Sequence, residues 1–337
     1  MAGSVPWTEP ALRVSGARTR QNDPVAPIPD RPSGQHEVDR RGLVLALPVG
    51  LIALVTGSVA DSFLSPVGRA GLRVVDLADR MVDDLLASSA STAATTPRLQ
   101  ALERAVVGAI GGRSNVVGVS VHDRRSGVLW HYRGGRLVRT GSVAKAMVAA
   151  QAIRVVRAQG RWLSATEQDW ARLAITRSDN ASADALYAFI GGHDGVAALA
   201  ADLGMTETAA AERVDHWGLT LTTPNDLVRL MRALTEGHPA LHRDDRAYLL
   251  GLMAQVADGQ RWGVGTVEAP DVGVRLKNGW MLVDTPWVIN SFGDVRGEGR
   301  DYVLAIMQRA QPDERTGVVR ASRISRAVFA ALEDPLT

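Results

Sequence analysis

What most limits the fold of this 337-residue chain is the order of its strand-like and helix-like segments between Arg98 and Leu332. Apolar residues recur every second position at both ends of that region, and every third or fourth position through its middle. Arg98 to Ile110 reads as a helix. Val116 to His122 and Val128 to Arg133 then alternate as strands, joined by the turn Asp123-Arg124-Arg125-Ser126-Gly127. A largely apolar helix from Ser142 to Ala158 follows and reads as a buried central helix. Helices come next at Thr166 to Thr176, after the capping box Ser164-Ala165-Thr166-Glu167, and at Ser182 to Ile190 and Asp194 to Leu203. Another runs from Pro224 to Leu234 with Thr223 as its cap. Strands return at Val272 to Trp280, Trp287 to Val295 and Tyr302 to Arg309, and Val318 to Leu332 closes as a helix. Two strands, an all-helical insert, three strands and a closing helix describe a single sheet with helices around it. The expectation is an α/β protein of the α+β kind, with an antiparallel sheet flanked by helices.

The N-terminal part has a different character. Residues 1–42 are rich in Pro, Arg, Gly and Asp without apolar periodicity and read as a disordered cytoplasmic tail. Leu43 to Ala60 is an uncharged run of eighteen residues after Arg40-Arg41, which reads as a membrane anchor or export signal. Either reading places the rest of the chain outside the cytoplasm. Residues 61–97 read as a juxtamembrane helix (Gly71 to Leu86) and a Ser/Ala/Thr linker, leaving 98–337 as one domain.

Charge narrows the chemistry. Of the thirty-eight basic residues only two are lysines, Lys145 and Lys277, leaving thirty-six arginines. A guanidinium keeps its proton in a protein, whereas burial can make an ammonium give its proton up. The positions that keep lysine are therefore the first to inspect for acid–base work. The net charge of +2 comes without a basic stripe in the domain, so no nucleic-acid partner is expected. With no cysteine there is no disulfide, thiolate site or Cys-linked lipid. His122, His131, His193 and His216 show no metal-ligand spacing and read as surface residues.

Both lysines sit in short motifs. Ser142 and Lys145 stand three apart at the start of a helix, on one face, where an amine that loses its proton can activate the hydroxyl. Ser178-Asp179-Asn180 lies between two helices, and Lys277-Asn278-Gly279 lies on a strand, where the glycine would let a substrate backbone approach the edge. Ser-x-x-Lys, Ser-Asp-Asn and Lys-x-Gly, in that order and in helix, loop and strand, are far more specific together than singly. The chain resembles the serine β-lactamase and penicillin-binding protein superfamily, class A β-lactamases most of all, over roughly Leu99 to Leu332.

That resemblance implies a five-stranded antiparallel sheet with a helical subdomain, here reduced because only thirty-six residues separate Ser142 from Ser178. It implies Ser142 as the acylated nucleophile, Lys145 as its base partner and Ser178 as the proton shuttle to the leaving nitrogen. Asn180 would hold the substrate amide, and Lys277 its carboxylate, a task in which Arg would be partly tolerated. Asn278, Gly279 and Trp280 would line the cleft, and the backbone N–H groups of Ser142 and Trp280 would stabilise the oxyanion. No metal or cofactor is implied. The substrate would be a β-lactam or a peptidoglycan stem peptide, met by a monomeric domain tethered to the membrane through residues 43–60. Two departures bear on the activity. Asn278 stands where the family has Thr or Ser. The loop MTETAAAERVDHWGLTLT has no convincing match to the deacylating Glu-and-Asn pair, with Glu207, Glu212 and Asp215 as its acids. The expectation is therefore a peptidase-like or slow-turnover enzyme. The alternatives are a wall-binding protein without catalysis and an esterase using the same Ser-Lys pair.

Overall fold

The computed structural model describes residues 96–336 apart from 113, 211–215, 268 and 283–285. The expectations for residues 1–95 lie outside the described residues. Among the described residues no helix is long and apolar enough to cross a membrane.

The chain enters through α1 (Pro97–Ile110), capped by the Thr96 hydroxyl, and then lays down β1 (Val117–Asp123) and β2 (Val128–Tyr132). A two-residue strand, β3 (Val138–Arg139), leads into a 3-10 turn over Gly141–Val143, which runs directly into α2 (Ala144–Ala158). The helical insert continues with α3 (Ala165–Thr176), α4 (Asn180–Phe189) and α5 (His193–Asp202). After the short β4 (Leu221–Thr222) come α6 (Pro224–Thr235) and α7 (Arg243–Ala254). The chain ends with β5 (Gly273–Leu282), β6 (Trp287–Gly297), β7 (Arg300–Gln311) and α8 (Glu314–Ala331). Strands β1, β2, β5, β6 and β7 form one antiparallel sheet in the order β2-β1-β7-β6-β5, so β1 from the start of the domain pairs with β7 from its end. This is the architecture expected.

The sheet is covered on both faces. Along β7, Val303, Ala305 and Met307 point to the helical insert, while Tyr302, Leu304 and Ile306 point to α1 and α8. This two-sided burial makes the strand read as a continuous apolar run. Helix α2 runs through the insert with residues Ala144 to Ile153 all buried. Its alanines at 144, 146, 149, 150 and 152 let neighbours approach from every side. The capping box at Ser164 and Glu167 and the Thr223 cap form as the sequence predicts.

Three features differ from expectation. Helix α7 has no counterpart in the sequence reading, because a charged first turn (Arg243, Asp244, Asp245, Arg246) masks its apolar face. Helix α8 begins four residues before the expected Val318, where Asp313 caps it through the Thr316 N–H. His122 is not a surface residue: β1 buries it to 3% exposure, with Nε2 3.2 Å from Glu236.

Strand β5 is the sheet's edge, and the 3-10 turn packs against it. A Cβ on Gly279 would lie 2.6 Å from the Thr140 carbonyl oxygen and 2.7 Å from the Val143 nitrogen. Both are backbone atoms of a turn held elsewhere, so neither can yield cheaply. Gly279→Ala should therefore lower stability by about 1–3 kcal/mol, the usual range for overpacking. Urea unfolding checks this, and a midpoint equal to the parent's would contradict the close contact.

Candidate active site

Three segments meet at the β5 edge, and each is fixed by the chain's own polar groups. The turn carrying Ser142 is anchored on the sheet side by the Asn290 amide, which donates to the carbonyls of Arg139 (2.8 Å) and Thr140 (3.1 Å). On the other side Thr140 N–H donates to Thr220 O at 2.9 Å, and its hydroxyl to Gly218 O at 3.3 Å. Gly141 takes φ +51°, a left-handed conformation suited to glycine, and sits against the Trp280 backbone. Ser142 thus stands at the entry to α2, 8% exposed, with Lys145 one turn on and fully buried.

The Lys145 ammonium donates to Ser178 O (2.5 Å), Ser178 Oγ (3.1 Å) and Asn180 Oδ1 (2.8 Å). Among the described residues it makes no hydrogen bond to Ser142. Ser178 reaches it through an uncommon backbone state, φ +56° in a non-glycine residue, costing about 1 kcal/mol or more. That twist turns both the carbonyl and the hydroxyl of Ser178 towards Lys145. Asp179 stabilises the corner by capping α4, its carboxylate accepting from Ser182 N–H at 2.7 Å. That Ser182 hydrogen bonding holds the Asp179 carboxyl below its ordinary range. Asn180 is exposed at the first position of α4, with its oxygen on the ammonium.

Lys277 arrives from β5, also with no solvent exposure, and donates to Ser178 Oγ (3.1 Å) and Asn278 O (2.8 Å). Ser178 Oγ therefore bridges both lysines, and two 3.1 Å bonds place the nitrogens no more than about 6 Å apart. Two ammonium charges at that distance repel by about 3 kcal/mol in a protein-like dielectric. Burial lowers the Lys145 pKa to about 8, against the opposing pull of Asp179 and Asp184. Burial, reinforced by the Lys145 charge, pushes Lys277 well below the ordinary lysine range. Lys145 has three oxygen acceptors and two nearby carboxylates, while Lys277 has two neutral acceptors. Lys145 therefore has the shell better suited to a charge, and Lys277 the poorer one.

The remaining β5 residues behave differently from one another. Asn278 is buried on the opposite face of the strand, where its amide donates to Gln260 O (2.6 Å) and Trp262 O (2.9 Å). Both amide hydrogens are used within the fold, so Asn278 does not offer the expected donor to a substrate. Gly279 accommodates the chain's own Ser142 turn rather than a substrate backbone. Trp280 is half-buried, edge-on to Trp262 with ring centroids 6.1 Å apart. Its backbone nitrogen lies along the same seam as that of Ser142, as an oxyanion site requires: a Cβ on Gly141 would be 3.3 Å from the first, and one on Gly279 3.0 Å from the second.

Sequence reading missed two residues. The indole of Trp217 lies over Lys145, with its centroid 4.6 Å from Nζ, and its Nε1–H donates to Asp184 Oδ1 at 2.7 Å. An aromatic face with a carboxylate behind it thus occupies the loop's place beside Lys145. A search for acids in that loop passes over a tryptophan, and no spacing rule marks one. Glu207 instead accepts from the Thr223 hydroxyl at 3.0 Å, at the start of α6, while Glu212 and Asp215 lie outside the described residues.

A solved β-lactamase from Sphaerobacter thermophilus DSM 20745 superposes over 70% of this chain and 98% of its own, with TM-score 0.58 and 22% identity. A structure of PBP-A superposes over 69% of this chain and 96% of its own, with TM-score 0.60 and 20% identity. At such identities these show a shared fold. The Mycobacterium tuberculosis protein named "Putative lipoprotein LppW" is 28% identical over 221 residues, 63% of this chain and 68% of that protein. The sequence profile of the beta-lactamase enzyme family matches residues 159–332, which include Ser178, Asn180 and Lys277 and begin after Ser142 and Lys145. With just over half its length matched, the chain belongs to the beta-lactamase enzyme family.

Proposed function

We propose that the chain is a serine acyl-transfer enzyme that forms a long-lived acyl-enzyme at Ser142 with a β-lactam or a D-Ala-D-Ala-type amide. The observation that carries this is the buried Lys145–Ser178–Lys277 chain beside a serine at a helix entry. Burying two lysines costs several kcal/mol, and a binding module has no use for a proton relay. In the acylation step Ser142 Oγ attacks the amide carbonyl as its proton passes to neutral Lys145. The backbone N–H groups of Ser142 and Trp280 receive the developing oxyanion. Ser178 then donates its hydroxyl proton to the departing nitrogen and is reprotonated by a lysine, leaving an ester on Ser142 and a free amine. No metal or cofactor enters this reading. Hydrolysis of the ester needs a base beside Lys145, and Trp217 presents an indole there. Slow release follows, closer to a peptidase trapped by a β-lactam than to a fast β-lactamase.

An envelope location accords with the name of LppW. This sequence has no cysteine to carry a lipid, so residues 43–60 are the proposed tether. The partner would be a stem peptide or β-lactam, without nucleic acid, and the working form a monomer.

A fluorescent penicillin should label the full-length protein, and the label should persist through denaturing electrophoresis. Ser142→Ala should abolish it. Lys145→Arg should reduce the labelling rate by roughly a thousandfold, because a guanidinium cannot accept the proton. Lys277→Arg should do the same, because its site holds no solvent and no acid. Labelling that survives Ser142→Ala would refute the nucleophile assignment.

The pH dependence tests the lysine assignment separately. Labelling should accelerate as pH rises through about 8, where Lys145 loses its proton. Trp217→Leu keeps the apolar cover but removes the aromatic face that favours the cation, so the midpoint should move down. Trp217→Ala admits water, which favours the cation, so the midpoint should move up. Stopped-flow labelling across pH would show this, and unchanged midpoints in both variants would mean that Trp217 does not act on Lys145.

A further inference from the structure

Many arginines among the described residues have an acid partner. Arg124 and Arg275 share Asp294, Arg157 has Asp245, Arg161 has Glu167 and Arg154 has Asp202. One helix face departs from that habit. A cavity of about 440 Å³ opens between the end of α6, one face of α7 and the start of β5. Its size falls in the range of small-molecule sites. Arg243, Arg246 and Arg275 line it together with apolar Leu234, Leu250 and Ala254, and no carboxylate lines it.

The three guanidinium groups are not equivalent. Arg275 is satisfied by Asp294, at 2.9 Å through Nε. Arg246 donates one Nη1 hydrogen to the Leu234 carbonyl at 3.1 Å, and its Nε is buried with no acceptor among the described residues. Arg243 is exposed and has no acid within ion-pair distance among the described residues. These two stand three residues apart on α7, a spacing at which like charges repel. A buried donor without an acceptor costs about 1–3 kcal/mol, and charged donors cost more. The repulsion is relieved if an oxyanion sits between the two forks, since a guanidinium matches a carboxylate or phosphate bidentately.

We propose that this cavity is a binding site for a small molecule with an oxyanion head and an apolar body. The head lies between the outer Nη ends of Arg243 and Arg246, which line the cavity together. The body lies on Leu250 and Ala254, one and two turns further along the same face of α7. Asp294 keeps Arg275 neutralised, so the wall draws a single anionic head rather than a polyanion. The site is separate from Ser142, and its occupation does not depend on acylation.

Isothermal titration of the full-length protein with hexanoate and with hexyl phosphate, against chloride at matched ionic strength, tests the site and separates the two head groups. Saturable binding of either compound is expected. It should weaken by at least roughly tenfold in Arg246→Gln and in Arg243→Gln. It should be unchanged in Ser142→Ala, which shows that the ligand is not in the acylation site. Arg246→Lys, which keeps the charge and loses the fork, should bind less tightly than the parent and guards against a folding artefact. Absence of saturable binding by both compounds would overturn the proposal, as would binding that survives both glutamine variants.

Discussion

The site depends on two lysine side chains sharing one hydroxyl out of contact with water. Neither Lys145 nor Lys277 has measurable exposure, and Ser178 Oγ lies 3.1 Å from each nitrogen. A buried ammonium must be fully hydrogen-bonded or give up its proton, and two at this spacing cannot both remain charged cheaply. The strained φ of Ser178 is explained by this need, because the left-handed corner brings a carbonyl and a hydroxyl to Lys145 at once. Asn180 and the Trp217 face complete the shell around Lys145, and Lys277 is left with the poorer one. The helical insert supplies one side of that arrangement and the sheet edge the other. The fold is thus what holds the two amines together against their repulsion.

The same edge explains why Ser142 is accurately placed. An unpaired strand edge ordinarily invites another strand. Here the Gly141–Val143 turn packs closely on β5 at Gly279, and the contact brings the backbone nitrogens of Ser142 and Trp280 to one seam. Asn290 reaches from β6 to hold the turn's preceding carbonyls, and its own oxygen accepts the Gln308 N–H at 3.1 Å. Three strands of the sheet therefore fix one serine, which is the kind of rigid support that a preorganised oxyanion site needs.

Motifs were legible in the sequence because they are contiguous; which way each side chain faces was not. Lys145, Ser178, Asn180 and Lys277 share hydrogen bonds, and Ser142 lies one turn before Lys145. Asn278 did not behave as its place in the motif suggested, because strand alternation sends it to the opposite face, where the 260–262 backbone takes both its donors. Gly279 was read as room for a substrate, yet the structure fills that room with the chain itself. Trp217 was invisible because its role comes from a loop crossing under α4, a contact between residues thirty-three apart that no local pattern encodes. His122 looked like a surface residue only because its partner, Glu236, lies at the end of a distant helix.

Lysine and arginine divide the electrostatic work of this chain by solvation. Arginine serves where a fixed charge is wanted, often with its fork on a carboxylate, as at Arg157 with Asp245 and Arg161 with Glu167. Lysine is kept for two positions without solvent exposure, where an ammonium can give its proton up and a guanidinium cannot. Within that division, Trp217 takes on a physical meaning that an acid in its place would not have. A carboxylate there would hold Lys145 charged and also activate water, coupling the start of acylation to the end of it. An aromatic face favours the cation by a smaller amount, about 0.5–2 kcal/mol, and offers water nothing to be activated by. In the proposed reaction the aromatic face therefore leaves Lys145 freer to lose its proton than a further carboxylate beside Asp179 and Asp184 would.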